Sequence, residues 1–259
     1  MRHCYVVRVF TDGQSGGNAL GVIPDSVELS SEAMQGIATK LGFSETVFID
    51  WTAAGPPVLR IFTPTVELPF AGHPLVGTAW VLNSMGPGVD RLSIQIGEVG
   101  IRMDNGTCWV GPPEIDQSVS EVSEHEVRRL GVSMIRAWRV VMPMDFLLAE
   151  LADGKAVENA HPDLAVVNDS CDGLYVFARG EPVRARFYAP ALGIDEDPAT
   201  GSAAVALAAV FRSEGQNSGR AEILQGLRGS LSRVMVNWAG LGVEIGGTVV
   251  HDEVRLLEE

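Results

Sequence analysis

Residues Phe62 to Gly86 read FTPTVELPFAGHPLVGTAWVLNSMG. An extended run from Leu59 to Phe62 enters a loop broken by Pro64 and Pro69, and the chain then passes Gly72-His73-Pro74 into an apolar helix. Proline just inside a helix start is favoured because its missing N–H is one of the donors left unpaired there anyway. Val76, Ala79, Trp80 and Leu82 make this helix apolar nearly all round, which predicts burial. A buried helix with Gly72 and His73 in its first turn presents free N–H groups and a partial positive charge. Such a helix start is suited to holding a carboxylate.

The stretch has an echo 129 residues later. Glu67, Pro69, Gly72, Val81, Ser84 and Gly86 recur as Glu196, Pro198, Gly201, Val210, Ser213 and Gly215, with His73 opposite Ser202 and Leu68 opposite Asp197. The same offset sets Thr46-Val47-Phe48 on Tyr175-Val176-Phe177, and Glu45 opposite Leu174. A slightly smaller offset sets Arg60-Ile-Phe-Thr-Pro64 on Arg186-Phe-Tyr-Ala-Pro190. Three blocks in one order predict two similar halves, each with a strand, a loop and a buried helix. A period this long marks a pair of domains, not a solenoid.

Working outward, the 259 residues suit one large or two ordinary domains, and 46% hydrophobic with 20% charged residues is globular composition. A formal charge of −14 argues against nucleic acid as a partner, since phosphate binding needs a positive surface. Cys4, Cys108 and Cys171 are far apart and lack metal-ligand spacing, which predicts free or buried thiols in a reduced, intracellular protein. No stretch approaches a signal-peptide core or a membrane span, so the expected location is cytoplasmic, with no membrane partner.

Strands are expected at Tyr5–Phe10, Ala19–Ile23, Ser44–Asp50 and, later, Leu174–Arg179 and Arg184–Tyr188, with a helix opened by Ser30-Ser31-Glu32 and running to about Leu41. Arg91–Ile96 and Val99–Met103 read as a hairpin around Gly97-Glu98, and Thr200–Glu214 as the second buried helix. Residues 114–124, after the Gly111-Pro-Pro113 break, are polar and read as a linker. Many strands with few helices indicate an α+β fold. The expected organisation is an N-terminal lobe, 1–115, and a C-terminal lobe, 120–247, each a curved, mostly antiparallel sheet around its helix. A last strand near 248–259 is expected to cross back to the first lobe.

Glu45, His73, Asp197 and Ser202 are the candidates for chemistry. Glu45 shares a strand face with Val47 and Ile49, where burial of a carboxylate is costly and drives its pKa up toward neutrality. Residues 195–203 place Asp197 just before the second helix and Ser202 in its first turn. Each has a plainer explanation: a solvent-facing edge glutamate, a core histidine, a helix cap at Asp197 or Thr200, a small residue at a packed helix start. The histidines show no ligand spacing, the glycines at 13–17 precede no dinucleotide fingerprint, and Ser202 lacks a nucleophile elbow. If the halves are related by a pseudo-two-fold axis, both helix starts and the single carboxylate of Glu45 meet at one cleft. One base that removes and returns a proton suits an isomerase.

Gly17-Asn18, Leu41-Gly-Phe-Ser-Glu-Thr-Val-Phe48, Phe62-Thr-Pro through Gly72-His-Pro74, Asp197-Pro-Ala-Thr-Gly-Ser-Ala-Ala204 and Glu222-Ile-Leu-Gln-Gly226 together resemble the phenazine-biosynthesis PhzF family, over nearly the full length. The resemblance implies the two-lobed diaminopimelate-epimerase-like fold and a homodimer. It also implies isomerisation of trans-2,3-dihydro-3-hydroxyanthranilate in secondary metabolism, without cofactor or metal. Glu45 matches the family's acid/base, and His73, Asp197 and Ser202 its substrate-contacting positions, with Asn18, Gly72 and Gly201 beside them. The expected ligand is a small carboxylate. Two-thiol racemisation is disfavoured, because His73 and Ser202 stand where epimerases carry cysteines. An isomerase or epimerase of another amino-acid-like metabolite, and a catalytically silent binding protein, stay open alongside. Ala19, where the family often has proline, and the divergence after Gly226 bear on the pocket's shape more than on the base.

Overall fold

The computed structural model of the chain describes residues 1–51, 55–86, 88–111 and 116–257. The chain divides into two compact units, residues 1–113 with 246–259, and residues 114–245.

The first unit contains β1 (Arg2–Val9), β2 (Asn18–Ile23), α1 (Ser31–Leu41), β3 (Glu45–Asp50), β4 (Val58–Phe62), β5 (Glu67–Leu68), α2 (Gly72–Met85), β6 (Arg91–Ile94), β7 (Gly97–Asp104) and β8 (Thr107–Gly111), plus the C-terminal strand Val249–Leu257. The C-terminal strand lies antiparallel on β1, and β1 antiparallel on β2. The ladder continues β2–β3 parallel, β3–β4 antiparallel, β4–β6 parallel, then β6–β7 and β7–β8 antiparallel. This sheet curls around α2, which touches β1, β2, β3, β8 and the C-terminal strand. The helix is buried at Gly72 to Ala79 and again at Val81 and Leu82, as its all-round apolar sequence requires. Gly77 lets it come close, because a Cβ there would lie 2.5 Å from Leu20 and 2.7 Å from Val9. On the opposite face of the sheet, α1 covers a cluster of Cys4, Val6, Ile23, Met34, Ala38, Phe48 and Phe62. Ser30 caps α1 by accepting from the Ala33 N–H, and Gly42 ends it at φ 68°.

The second unit contains β9 (Ser118–Val122), α3 (Glu124–Val127), β10 (Arg136–Val141), β11 (Asp145–Glu150), α4 (Gly154–Glu158), α5 (Leu164–Ser170), β12 (Gly173–Ala178), β13 (Val183–Ala189), β14 (Ile194–Asp197), α6 (Gly201–Ser213), β15 (Ser218–Gln225), β16 (Ser232–Ala239) and, up to Ile245, β17 (Gly242–Gly247). Its ladder runs β9–β10 and β10–β11 antiparallel, β11–β12 parallel, β12–β13 antiparallel, β13–β15 parallel and β15–β16 antiparallel. That is the succession of the first unit, strand for strand. It wraps α6, buried from Gly201 to Phe211 and in contact with β9, β10, β11 and β16. The expectation of an α+β fold with a curved, mostly antiparallel sheet around a buried helix is met in each unit.

The sequence echo has a physical content. Arg60 on β4 grips Glu67 on β5 through Nε and one terminal nitrogen, at 2.7 and 2.6 Å, and its guanidinium lies 5.1 Å from the Phe62 ring centroid. Arg186 on β13 grips Glu196 on β14 in the same fork, at 2.7 Å for both bonds, and lies 5.1 Å from the Tyr188 ring. Bidentate pairs of this kind demand the same geometry each time. The offset changes between Arg and Glu because the β13–β14 connection carries an extra 3₁₀ turn at Pro190–Leu192.

Register corrects one pairing of the halves. Thr46 faces Phe62 across β3–β4, whereas Leu174 faces Tyr188 across β12–β13. Phe62 and Tyr188 are equivalent, so Leu174 answers to Thr46, and the counterpart of Glu45 is Gly173. A one-residue slip exchanges strand faces, which is why a fixed sequence offset misassigned it. A Cβ at Gly173 would run into the Phe187 ring. The conclusion that one carboxylate stands on this strand pair is unchanged, and its reason is aromatic filling. The polar run read as a linker is also corrected: Ser118–Val122 forms β9, paired to β10, and α3 begins at Glu124, while residues 112–115 lie outside the described ones. The hairpin after α2 turns at Gln95-Ile96, two residues before the expected Gly97-Glu98.

Candidate active site

In the first unit, β3 brings Glu45 onto the face it shares with Val47 and Ile49, both fully buried. Glu45 itself is 8% exposed, so it is not a solvent-facing edge residue. The parallel pairing of β2 with β3 puts Leu20 beside Glu45, and Asn18 begins β2 two residues earlier. His73 is the second residue of α2 and is buried at 3% exposure. Its Nε2 lies 3.2 Å from Oε2 of Glu45, although the angle there falls outside that of a hydrogen bond. Catalytic hydrogen bonds are often misaligned before a ligand arrives. On its other side, Nδ1 of His73 lies 3.4 Å from the Asn18 side-chain nitrogen. Burial drives the His73 pKa down to about 3, so the imidazole is neutral at physiological pH.

The expected residues Asn18, Glu45, Gly72 and His73 thus come together. The N-cap of α2 is Ala71, whose side chain offers no capping bond, so no N-cap side chain occupies the first-turn N–H groups.

In the second unit, Asp197, Gly201 and Ser202 gather at the start of α6. Asp197 is 6% and Ser202 8% exposed. The N-cap is Thr200, but its side chain does not cap the helix; the hydroxyl donates to Oδ2 of Asp197 instead. Two plainer readings of this segment are thereby narrowed. Holding the arrangement is Gln225, fully buried at the end of β15. Its side-chain nitrogen donates to the Asp197 carbonyl at 2.8 Å and to Oγ1 of Thr200 at 2.9 Å, while its oxygen accepts the Thr200 N–H at 3.2 Å. Gly226 follows at φ 101°, a conformation that favours glycine. Sequence reasoning gave neither Gln225 nor Ser44 a role. The available signal was their position inside matched motifs, a glutamine before glycine and a serine before the glutamate.

The three cysteines are buried and free, and burial raises Cys4 and Cys171 to about 11 and Cys108 to about 12, so none is poised as a nucleophile. Among the described residues no group of three or more His, Cys, Asp or Glu side chains could hold a metal ion, and no helix is long and apolar enough to cross a membrane.

The profile of the phenazine biosynthesis-like protein family matches residues 7–236. Trans-2,3-dihydro-3-hydroxyanthranilate isomerase of Pseudomonas chlororaphis is 32% identical over 248 residues, covering 88% of this chain and 86% of its own. The crystal structure of a Bacillus anthracis phenazine biosynthesis protein of the PhzF family superposes with a TM-score of 0.86 at 20% identity, covering 99% of both chains. A probable proline racemase from Agrobacterium radiobacter superposes at 0.68 with 10% identity, over 100% of this chain and 93% of its own, which extends the likeness of fold to the racemases and epimerases. With its profile matched from the first strand to β16 and a relative this similar along most of both lengths, the chain belongs to the phenazine biosynthesis-like family that includes PhzF.

Proposed function

We propose that the chain is an isomerase that moves a proton between two carbons of a small cyclic amino acid, with Glu45 as the sole acid/base. The observation that carries this reading is a buried glutamate on an apolar strand face, 3.2 Å from a neutral first-turn histidine. Burial favours a carboxyl group that trades one proton, and the histidine N–H supplies a dipole for its charged form. By analogy with the relative from Pseudomonas chlororaphis, the substrate is trans-2,3-dihydro-3-hydroxyanthranilate. Glu45 takes the proton from C3 and returns it to C1 while the ring double bonds shift, so composition is unchanged and no redox partner enters. His73, Asp197 and Ser202 bind the substrate's polar groups, with N–H groups of Gly72 and Gly201 at the helix starts and Asn18 beside His73. The working form is a homodimer, which sedimentation equilibrium of the full chain checks.

The experiment is turnover of this acid in D₂O, followed by proton NMR, with wild type and Glu45→Gln. Wild type is expected to place one deuteron on a ring carbon, and the variant to be slower by about 10²–10⁴-fold, the usual worth of a positioned acid/base. Undiminished turnover by the variant overturns the proposal. Binding without exchange would make the chain a silent ligand-binding protein, and inversion at an α-carbon would make it an epimerase.

A further inference from the structure

Ser44, Asn18, His73 and Glu45 form a chain of polar contacts within the first unit. The Ser44 hydroxyl is 2.7 Å from Oδ1 of Asn18 and 3.3 Å from the Ala19 carbonyl. Asn18 Nδ2 is 3.4 Å from Nδ1 of His73, and His73 Nε2 is 3.2 Å from Glu45. Asn18 and His73 are each 3% exposed, so neither can exchange its partner for bulk water. A neutral imidazole carries one N–H, and the hydrogen bond at one nitrogen decides which. The serine has a single proton, and the shorter distance assigns it to Oδ1. The amide oxygen is then engaged, and the amide nitrogen must donate to Nδ1.

We infer that Ser44 and Asn18 are positioning residues that lock His73 as the Nε2–H tautomer, so that its only N–H is on the ring nitrogen 3.2 Å from Oε2 of Glu45. The ring nitrogen nearest the carboxylate then carries a proton and not a lone pair. With the opposite tautomer, two lone pairs would oppose each other at 3.2 Å and penalise the carboxylate. Asn18 therefore acts on the carboxylate through His73.

The catalytic part of this inference rests on the isomerase reading; the tautomer does not. Long-range ¹H–¹⁵N correlation of the ¹⁵N-histidine-labelled full chain, with His73 assigned by its loss in His73→Asn, reads the ring nitrogens without any substrate. An unprotonated Nδ1 and a protonated Nε2 are expected. A protonated Nδ1 in the wild type overturns the inference whatever the activity. Asn18→Asp replaces the donor by an acceptor and is expected to move the proton to Nδ1, lowering kcat on the order of 10²- to 10⁴-fold with KM little changed, as wrong-tautomer variants of catalytic histidines do. Ser44→Ala removes the lock at the far end of the chain and is expected to give mixed tautomers and about a 10-fold loss of kcat. A KM effect alone, or an unmoved tautomer in both variants, also overturns it. If the tautomer is as stated but no candidate acid exchanges its protons, it is the substrate reading that fails.

Discussion

At the scale of the residue, the first unit's chemistry is set by how far His73 is from water. Burial drives its pKa from the ordinary 6.5 to about 3. Between these values the unfolded chain binds a proton that the folded chain does not, so stability falls as pH drops through that window. The expected contribution is a slope of up to about 1.4 kcal/mol per pH unit, the value for one proton. Urea unfolding of wild type and His73→Asn between pH 7 and 4 measures it. The variant should lose that part of the slope, and equal slopes would show that His73 is hydrated. Glu45 lies 3.2 Å from His73, so the difference between the two proteins, and not either slope alone, carries the information.

At the scale of the element, the same substitution has opposite signs in the two helices of the first unit. Gly77 lies where α2 meets the sheet, and an added methyl would overlap Leu20 and Val9. Gly77→Ala is expected to destabilise the protein by about 1–3 kcal/mol through overpacking, despite alanine's better helix propensity. Gly36 is exposed in the middle of α1 with nothing within 4 Å of an added Cβ. Gly36→Ala is expected to stabilise by about 0.5–1 kcal/mol, because only the backbone-entropy advantage remains. Denaturant midpoints of the two variants check both signs. Helices of this kind were readable from sequence because their burial or exposure is written in every residue. The short strands β5, β9 and β14 were not. Each is made by pairing with a neighbour distant in sequence or by a charged fork such as Arg186–Glu196, which local composition does not disclose.

At the scale of the whole molecule, the first unit is discontinuous in sequence. The chain begins with β1 and returns at its end to pair Val249–Leu257 along β1, from Arg2–Leu257 to Val9–Val249 with a register shift between Val6 and Val7. A chain truncated after Ile245 would leave this edge of β1 bare, exposing unpaired N–H and C=O groups beside apolar side chains. Loss of soluble protein, or of a cooperative unfolding transition, is expected for that truncation. A truncated chain with wild-type solubility and near-ultraviolet circular dichroism would contradict the pairing.

The amino-acid sequence by itself determined that there are two related halves, that each is built on a buried helix, and that Glu45, His73, Asp197 and Ser202 stand at the strand and helix starts. Periodicity, capping residues and repeated motifs are local properties, and a linear chain records them. Only the tertiary structure decided that Gly173 and not Leu174 answers to Glu45, that Asn18 is bound to His73, and that Gln225 holds Asp197 and Thr200 in place. These depend on strand register and on hydrogen bonds between residues tens of positions apart. The geometry that satisfies a buried polar group is settled when the chain closes on itself.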